Sequence, residues 1–212
     1  MKILIIGTGN MGRGIATRAL AGKNVVTVYD EDGTKAQALA TELGVSVAGD
    51  TRDAIASSDI VIMATPYAGS LDIARKLGTS LAGKVVIDIS NPLNESYTGL
   101  VTAPDTSGVE EIRKLLPPSV KLVKAFNTTF AGTLIPGSVA GQTLDVFIAG
   151  DDDAAKQTVA EFVKAGGLNA VDVGALERAR QLEALGLLGI TLQFRLNTGF
   201  ATAWKLVLPA AA

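Results

Sequence analysis

The amino-acid sequence predicts an α/β protein in which a doubly wound parallel sheet is followed by a C-terminal helical segment. Short aliphatic and β-branched runs alternate with helical stretches over the first 175 residues, as in repeated strand–helix–strand units. Several of these runs, such as residues 3–6 and 60–64, are apolar throughout, which is typical of strands covered by helices on both faces. A glycine-rich turn also joins the first run to the first helical stretch.

The predicted elements follow one another regularly along the chain. Strands are predicted over residues 2–6, 25–29, 45–47, 60–64, 85–89, 122–125, 144–149 and 170–173. Helices are predicted over residues 11–21, 34–43, 52–57, 70–77, 109–116, 154–165 and from 177 to about 208. The polar segment 94–107 contains Gly and Pro and has no apolar period, so we expect a mobile, functional loop there.

The composition excludes several kinds of chemistry. With 212 residues, 48% of them hydrophobic, the chain is long enough for one large domain with its own core. The net charge of −2 and the scattered Lys and Arg residues provide no basic surface for nucleic acid. The chain contains no cysteine and no histidine, so we expect no metal site and no thiolate or imidazole catalyst.

Two features favour a cytoplasmic location. The N-terminal sequence MKILIIGTGN does not resemble a secretory signal, because its short apolar run leads into glycines. The longest apolar stretch, residues 184–192, is far shorter than the roughly 20 residues that cross a membrane. We therefore expect a cytoplasmic protein with no membrane partner.

The turn after the first predicted strand has the sequence Gly7-Thr8-Gly9-Asn10-Met11-Gly12. Gly7 would permit a tight turn, Gly9 would let the backbone approach a pyrophosphate, and Gly12 would let helix and strand pack closely. The first N–H groups of the helix would then point at the phosphates. This pattern predicts a Rossmann-type dinucleotide-binding domain over residues 1–175, which leaves residues 176–212 as a C-terminal helical segment.

An acidic cluster after the second predicted strand favours NAD over NADP. Asp30 can accept hydrogen bonds from the adenosine ribose hydroxyls, and Glu31 follows it directly. A 2′-phosphate there would meet several negative charges, which repel it in a partly desolvated site. Two alternatives stay open: Asp30 is a turn residue, or Lys35 or Arg52 binds the phosphate.

Small polar residues follow three further predicted strands, where ligands bind in open α/β sheets. They occur in the segments Ala64-Thr65-Pro66-Tyr67, Ser90-Asn91-Pro92-Leu93 and Phe126-Asn127-Thr128-Thr129. These groups can hydrogen-bond a carboxamide and hold flat rings, but they include no paired carboxylates for proton abstraction. We therefore assign no catalytic residue. The alternative to a ligand-binding role is that the polar residues of each segment only cap the end of a strand.

The C-terminal segment is apolar over most of its helical circumference, from Leu182 to Phe200. A helix of this kind needs cover on more than one side, and a single sheet does not supply it. We therefore expect this segment to pack against a second copy of the chain in a homodimer. The alternative is a helix buried within its own domain.

Several motifs together resemble one known family: KILIIGTGNMG, VVIDISNPL, KAFNT, IAGDD and ARQLEALG. The sequence resembles the coenzyme F-420-dependent NADP oxidoreductases and their bacterial relatives from Met1 to about Lys205. It is also similar to the reductase domain of the STEAP metalloreductases. A shorter resemblance, limited to the first strand, turn and helix, extends to pyrroline-5-carboxylate reductases and 6-phosphogluconate-type dehydrogenases.

The resemblance implies hydride transfer between a nicotinamide and a flavin or deazaflavin ring stacked at the strand ends. It places the pyrophosphate on the glycine turn, the adenosine ribose at Asp30, and the nicotinamide ribose beside Thr65 and Pro66. It also implies that the C-terminal helical segment, residues 176–212, supplies part of the dimer interface and the floor of the pocket. The cofactor-binding residues expected on the combined evidence are Gly7, Thr8, Gly9, Asn10, Met11, Gly12, Asp30, Glu31, Thr65, Pro66, Asn91, Pro92, Ala125, Phe126, Asn127 and Thr128.

Two positions depart from the family pattern. The archaeal enzymes carry small and basic residues where this chain has Asp30 and Glu31, and a histidine where it has Asn127. Other hypotheses therefore stand beside hydride transfer to a flavin or deazaflavin. A small-substrate dehydrogenase or imine reductase would need a proton donor, for which Lys124, Tyr67 and Tyr97 are the candidates. A non-catalytic NAD(P)H-binding redox sensor is the third hypothesis. Besides acting as a proton donor, Lys124 has two other possible roles: it could balance charge on a reduced ring, or it could be a surface or structural residue.

Overall fold

The computed structural model describes residues 1–209, which form an eight-stranded sheet, a small hairpin and eight α-helices. The strands are β1 (Lys2–Ile6), β2 (Val25–Tyr29), β3 (Ser46–Val47), β4 (Ile60–Met63), β5 (Val85–Asp88), β6 (Lys121–Lys124), β7 (Ser138–Val139), β8 (Gln142–Thr143), β9 (Asp145–Gly150) and β10 (Asn169–Gly174). The helices are α1 (Asn10–Ala21), α2 (Gly33–Leu43), α3 (Thr51–Ser57), α4 (Tyr67–Leu77), α5 (Gly108–Leu115), α6 (Ala131–Leu134), α7 (Asp153–Ala165) and α8 (Ala179–Leu196).

The sheet has the strand order β10-β9-β6-β5-β4-β1-β2-β3. The chain runs outward from β1 in one direction and from β4 in the other, so the order reverses between these two neighbours. The predicted doubly wound α/β fold is therefore confirmed. One edge differs from the rest, because β9 pairs antiparallel with β6 while β10 runs parallel to β9. Only the strands up to β6 direct their carboxyl ends to the reversal point, where ligands bind in such sheets.

Both faces of the sheet are buried, as the wholly apolar strands predicted. In β1, Ile3 and Ile5 face one core with α1 and α7, while Leu4 and Ile6 face the other with α4 and α5. Alternate residues of a strand point to opposite faces, so helices must cover both sides of the sheet. This packing holds the carboxyl ends of β1, β4, β5 and β6 side by side.

The C-terminal helix is shorter than the sequence predicts. The expected helix from 177 to about 208 is wrong beyond Leu196, because Asn197 adopts a left-handed conformation (φ 53°, ψ 45°) that ends α8. Residues 198–209 instead fold back along the protein, tied by Gln193 to Thr202 (2.7 Å) and by Leu206 N–H to Asp145 (2.8 Å). The prediction for 176–212 also covers residues 210–212, which lie outside the described residues, and the division at 175/176 stays a prediction.

Two local structures were absent from the sequence prediction. Helix α6 packs on α1 at Gly14, where a Cβ atom would lie 2.9 Å from the Leu134 side chain. The β7–β8 hairpin follows α6. Within residues 1–209, no helix is both long and apolar enough to span a membrane.

Candidate active site

The glycine-rich turn between β1 and α1 shows why each glycine stands where it does. Gly7 has a φ of +106°, and a Cβ there would collide with the Ala64 carbonyl. A Cβ on Gly12 would collide with the Gly7 carbonyl. Gly9 is different, since its φ of −69° suits any residue and no atom beyond its chain neighbours lies within 4 Å of the position of a Cβ.

The fold does not require a glycine at position 9, so the open space there is better explained as room for a ligand. The N–H groups of Gly9, Asn10 and Met11 lie at the start of α1, where no preceding helical carbonyl can accept their hydrogen bonds. The end of a helix also carries a partial positive charge. The residues present therefore fit a diphosphate that approaches the backbone at Gly9.

Asp30 lies at the end of β2 and is bound to the same turn. Its Oδ2 accepts hydrogen bonds from the Thr8 N–H and the Thr8 hydroxyl, each at 2.8 Å, and its Oδ1 accepts one from Asp32 N–H at 3.0 Å. Partial burial opposes ionisation, but these three hydrogen bonds outweigh it and hold the pKa of Asp30 below its usual value. Because both Thr8 donors are engaged, the expected contact of Thr8 with a pyrophosphate is not available in this conformation.

A cavity of about 230 Å³ lies beside Asp30, where the sequence places the adenosine ribose. It is lined by Ile6, Gly7, Tyr29, Asp30, Glu31, Thr51, Thr65, Gly69, Asp72, Ile73, Lys76 and Leu77. The two cations considered for a 2′-phosphate are engaged elsewhere: Lys35 pairs with Asp32, and Arg52 donates to Ser80. Lys76 was not considered from the sequence, and its ammonium lies 3.4 Å from Glu31.

A second cavity of about 570 Å³ adjoins the start of α1. It is lined by Asn10, Met11, Arg13, Ile89, Asn91, Asn127, Thr129, Phe130, Ala131, Gly132, Ile135, Ile190, Gly199 and Phe200. Asn10 and Met11 connect it to the glycine turn. The rings of Phe130 and Phe200 meet edge to face, with centroids 5.4 Å apart. The sequence prediction missed both rings, because one follows an unpredicted turn and the other lies in the tail that was predicted as helix.

The two asparagines of this cavity hold each other in place. Asn91 Nδ2 donates to the Asn127 carbonyl at 2.8 Å, and Asn127 Nδ2 donates to Asn91 Oδ1 at 2.9 Å. Asn127 Nδ2 also donates to the Leu182 carbonyl at 2.9 Å. Asn127 Oδ1 is buried and has no hydrogen-bond partner within residues 1–209. An amide oxygen of this kind is suited to accept a ligand N–H, such as that of a carboxamide.

Other predicted site residues lie away from the larger cavity. The side chains of Ala125 and Phe126 are buried in the core, where Phe126 packs edge to face on Phe162, so neither is available to a ligand. Phe126 has a φ of +64°, which turns the chain and directs its side chain inward. Pro92 packs near Gly108, and the Thr128 hydroxyl is buried without a partner within residues 1–209.

The segment after β4 belongs to the smaller cavity. Thr65 lines that cavity, and its hydroxyl lies 3.2 Å from the Ser70 hydroxyl. Pro66 is exposed and immediately precedes α4. Both residues therefore lie between the glycine turn and the start of α4.

A buried ion cluster lies beneath the asparagines and was not predicted. The Lys124 ammonium lies 2.7 Å from Asp88 and 2.8 Å from Glu183, and all three side chains are fully buried. Burial alone would lower the pKa of Lys124, but the two carboxylates outweigh it and raise that pKa. Lys124 is thus a structural residue and is not exposed to a ring in the cavity. Each member of the cluster lies in one of the motifs VVIDISNPL, KAFNT and ARQLEALG. The sequence therefore contained all three residues, but nothing in it indicated that they contact one another.

The remaining candidate proton donors do not line the larger cavity either. Tyr67 packs near Gly108, and its pKa is raised by burial and by the nearby Glu111, Glu183 and Asp88 carboxylates. Tyr97 is half exposed, with its ring 6.3 Å from that of Phe194. Among the lining residues, Arg13 is the one ionisable side chain, and it pairs with Glu42 at 2.5 Å.

The fold and this site define a Rossmann-type dinucleotide-binding oxidoreductase. The family described as NADP oxidoreductase, coenzyme F420-dependent, matches residues 2–92. The "F420-dependent NADP reductase" of Methanocaldococcus jannaschii is 30% identical over 215 residues, covering 92% of this chain and 94% of that protein. The chain therefore belongs to the coenzyme F-420-dependent NADP oxidoreductase family and is an NAD(P)-dependent oxidoreductase, as the motifs predicted.

Two further comparisons agree with this assignment. The crystal structure of a candidate F420-dependent NADP reductase from Arthrobacter sp. fb24 is 31% identical, with a TM-score of 0.87, and the match covers 98% of this chain and 100% of that one. Metalloreductase STEAP3 of Rattus norvegicus is 30% identical over 186 residues, which cover 88% of this chain and 36% of that protein. The second match confirms the expected similarity to the STEAP metalloreductases.

Proposed function

We propose that this chain transfers a hydride between a nicotinamide dinucleotide and a deazaflavin of the coenzyme F-420 class, with other flavins as the alternative acceptors. The observation that carries the proposal is the cavity of about 570 Å³ that begins at the glycine turn and ends between Phe130 and Phe200. Its apolar and aromatic walls suit flat rings, and its asparagine pair suits a carboxamide. The names of the relatives in Methanocaldococcus and Arthrobacter support the choice of acceptor.

The dinucleotide would extend across both cavities. Its diphosphate would lie over Gly9 and accept hydrogen bonds from the Asn10 and Met11 N–H groups. The adenosine ribose would lie in the smaller cavity near Asp30, and the nicotinamide ribose would lie near Thr65. The nicotinamide carboxamide would donate a hydrogen bond to the unpartnered Asn127 Oδ1.

The chemistry of the larger cavity fits direct hydride transfer. The reaction requires two ring carbons to be held roughly 3–3.5 Å apart in aligned geometry. The nicotinamide supplies the hydride, and the protein supplies binding and orientation. Because the lining offers no carboxylate, lysine or tyrosine among the described residues, it is poorly suited to an imine reduction that needs a proton donor.

We also propose that NAD is preferred over NADP. The ionised Asp30 and the neighbouring Glu31 both line the smaller cavity, where a 2′-phosphate would meet their negative charges. Lys76 already pairs with Glu31, and Lys35 and Arg52 have other partners. The relatives are named for NADP, so the proposed NAD preference would set this chain apart from them.

Helix α8 supports a homodimer. It buries one face against its own chain, while Leu188 on the opposite face is 49% exposed. Leu185 and Leu192, three residues before it and four after it, share that face and are only partly buried. Apolar residues exposed together mark interaction surfaces. We therefore propose that this face of α8 packs against a second copy of the chain. Separately, we propose that the protein acts in the cytoplasm.

An anaerobic assay of reduced-nicotinamide absorbance tests the proposed function. NADH and NADPH are each mixed with coenzyme F-420, with FMN, and with a cyclic imine. We expect oxidation with coenzyme F-420 and NADH, and a smaller rate with NADPH. Turnover with the imine alone would establish the small-substrate reductase instead, and NADH binding without turnover against any acceptor would establish a redox sensor.

A further inference from the structure

We propose that the buried cluster of Asp88, Lys124 and Glu183 is a positioning device for the larger cavity. The cluster fixes the Ser90–Asn91 segment and one turn of α8 against the sheet, so that the amides of Asn91 and Asn127 keep one orientation toward the bound ring. The inference rests on the proposed function, because it assigns these amides to the nicotinamide.

Lys124 has no capacity left for a ligand. Its ammonium donates to Asp88 Oδ2 at 2.7 Å, contacts Glu183 Oε1 at 2.8 Å, and donates to the Ser90 carbonyl. A lysine ammonium has three N–H donors, so all of them are used within the protein. The Lys124 ammonium therefore affects the cavity only through Asp88, Glu183 and Ser90, the groups that it binds.

Ser90 is held from two directions by the same cluster. Its carbonyl accepts from Lys124, and its hydroxyl donates to Asp88 Oδ1 at 2.9 Å. Asn91 is the next residue and lines the cavity. A shift of Asp88 or Lys124 would therefore move the backbone that carries the Asn91 amide.

Glu183 anchors the turn of α8 on which both asparagines rest. The Leu182 carbonyl accepts from Asn127, and Gly186 lies directly under Asn91, since a Cβ there would be 2.8 Å from Asn91 Oδ1. Between these two contacts, Glu183 binds Lys124 and also accepts from Gly108 N–H at 2.8 Å, at the start of α5. One carboxylate thus links α8 to the sheet and to α5.

The ionic character of the cluster favours a positioning role over a stabilising one. Burying charges is costly, and well-packed apolar side chains of similar size are often at least as stabilising. Charged hydrogen bonds are directional, however, and they fix orientation as well as distance. The start of α5 also carries a partial positive charge, which offsets the excess of carboxylates over the single ammonium.

The test compares Glu183→Gln with Glu110→Gln. Glu110 also lies at the start of α5 and also binds α8, through Arg180 at 2.6 Å and 2.9 Å, but it has no link to Ser90 or Asn91. We expect Glu183→Gln to lower kcat for hydride transfer by about 10-fold to 100-fold, because small displacements of reacting groups have effects of this size. NADH affinity should change by less than about threefold, since the glycine turn binds the diphosphate. Glu110→Gln should resemble the wild type.

A second readout does not depend on turnover. In NMR spectra with NADH bound, the side-chain amide signals of Asn91 and Asn127 should shift or broaden in Glu183→Gln and stay unchanged in Glu110→Gln. If the wild type transfers no hydride to any acceptor, the proposed function fails, and these signals still decide the positioning role. Unaltered kcat and amide signals in a folded Glu183→Gln protein, or equal losses in both variants, would overturn the inference. Should Glu183→Gln fail to fold, Ser90→Ala provides the same comparison without removing a charge.

Discussion

Thr8 donates both its backbone N–H and its hydroxyl to a single carboxylate oxygen of Asp30, each across 2.8 Å. This pair joins the glycine turn after β1 to the end of β2. It keeps Asp30 ionised beside the cavity proposed for the adenosine ribose. Asp30 therefore has a structural role in addition to the ligand role expected from the sequence.

Thr8→Val tests this pair through the pH dependence of stability. A hydrogen bond to a charged group contributes about 1.5–3 kcal/mol, so we expect a loss of that order in the free energy of unfolding at neutral pH. The pKa of Asp30 is lowered in the folded state, so its stabilisation is present above the ordinary carboxyl pKa of about 4 and is lost as pH falls through the lowered value. Urea unfolding from neutral to acid pH measures the difference.

The control is Thr158→Val, which removes a hydroxyl that donates to the Ala154 carbonyl on α7. No carboxylate takes part in that hydrogen bond, so its effect should not vary with pH over the same range. A Thr8→Val deficit that stays constant into acid would contradict the assignment to the ionised Asp30.

Gly9→Asp separates ligand binding from folding. No atom beyond the chain neighbours lies within 4 Å of the new Cβ, so the free energy of unfolding should change by only about 0.5 kcal/mol. NADH affinity should fall by at least about 100-fold, since the carboxylate occupies the proposed diphosphate site and repels it. Calorimetric titration measures the affinity, and Gly49→Ala, at another open loop position, should leave it unchanged. Full affinity in Gly9→Asp would place the nucleotide elsewhere.

Glu31→Arg should shift the preference toward NADPH. The change removes one negative charge from the smaller cavity, adds a positive one, and leaves the Thr8–Asp30 pair intact. We expect the ratio of kcat/KM for NADPH to that for NADH to rise at least about tenfold, which corresponds to about 1.4 kcal/mol. Glu161→Arg, on the exposed side of α7, controls for net charge. A ratio that is the same in both variants would refute our account of cofactor choice.

Phe200→Ala should weaken binding of the acceptor and leave binding of the nucleotide unchanged. Phe200 lines the larger cavity and packs edge to face on Phe130. Loss of an aromatic contact of this kind costs about 0.5–1.5 kcal/mol beyond buried area, so the KM for coenzyme F-420 should rise by about tenfold. Leu208→Ala, in the exposed part of the same tail, is the control. If NADH affinity falls instead, Phe200 belongs to the nucleotide site.

Leu188→Glu tests the proposed dimer. Leu185 and Leu192 are partly buried within the chain, whereas Leu188 is half exposed on α8, so a charge there should disturb an interface more than the fold. We expect the wild type to sediment as a dimer and the variant as a monomer with unchanged helix content. Gln37→Glu makes the same change of charge at an exposed position on α2, away from α8, and should remain dimeric. A monomeric wild type would remove the proposal.

Local sequence patterns were sufficient to predict most of the strand–helix order, the glycine turn and the family. These signals are local: apolar runs identify the strands around Ile3–Ile6 and Ile60–Met63, and Gly7 and Gly12 are required by contacts close to the turn itself. The acidic residue after β2 was also found from its place in the motif. Such features depend on neighbours along the chain, so a pattern of residue types reveals them.

How distant residues combine depended on packing in three dimensions. Asp88, Lys124 and Glu183 come from three separate motifs, and no local pattern indicates that their charges meet in a buried cluster. The end of α8 depended on the left-handed Asn197 and on tail contacts to Asp145, although the apolar residues beyond it suggested a longer helix. Phe126 is buried in the core, whereas the folded-back tail places Phe200 in the lining of the larger cavity. Packing between remote segments determines which side chains reach the site, because it is packing that selects among locally allowed conformations.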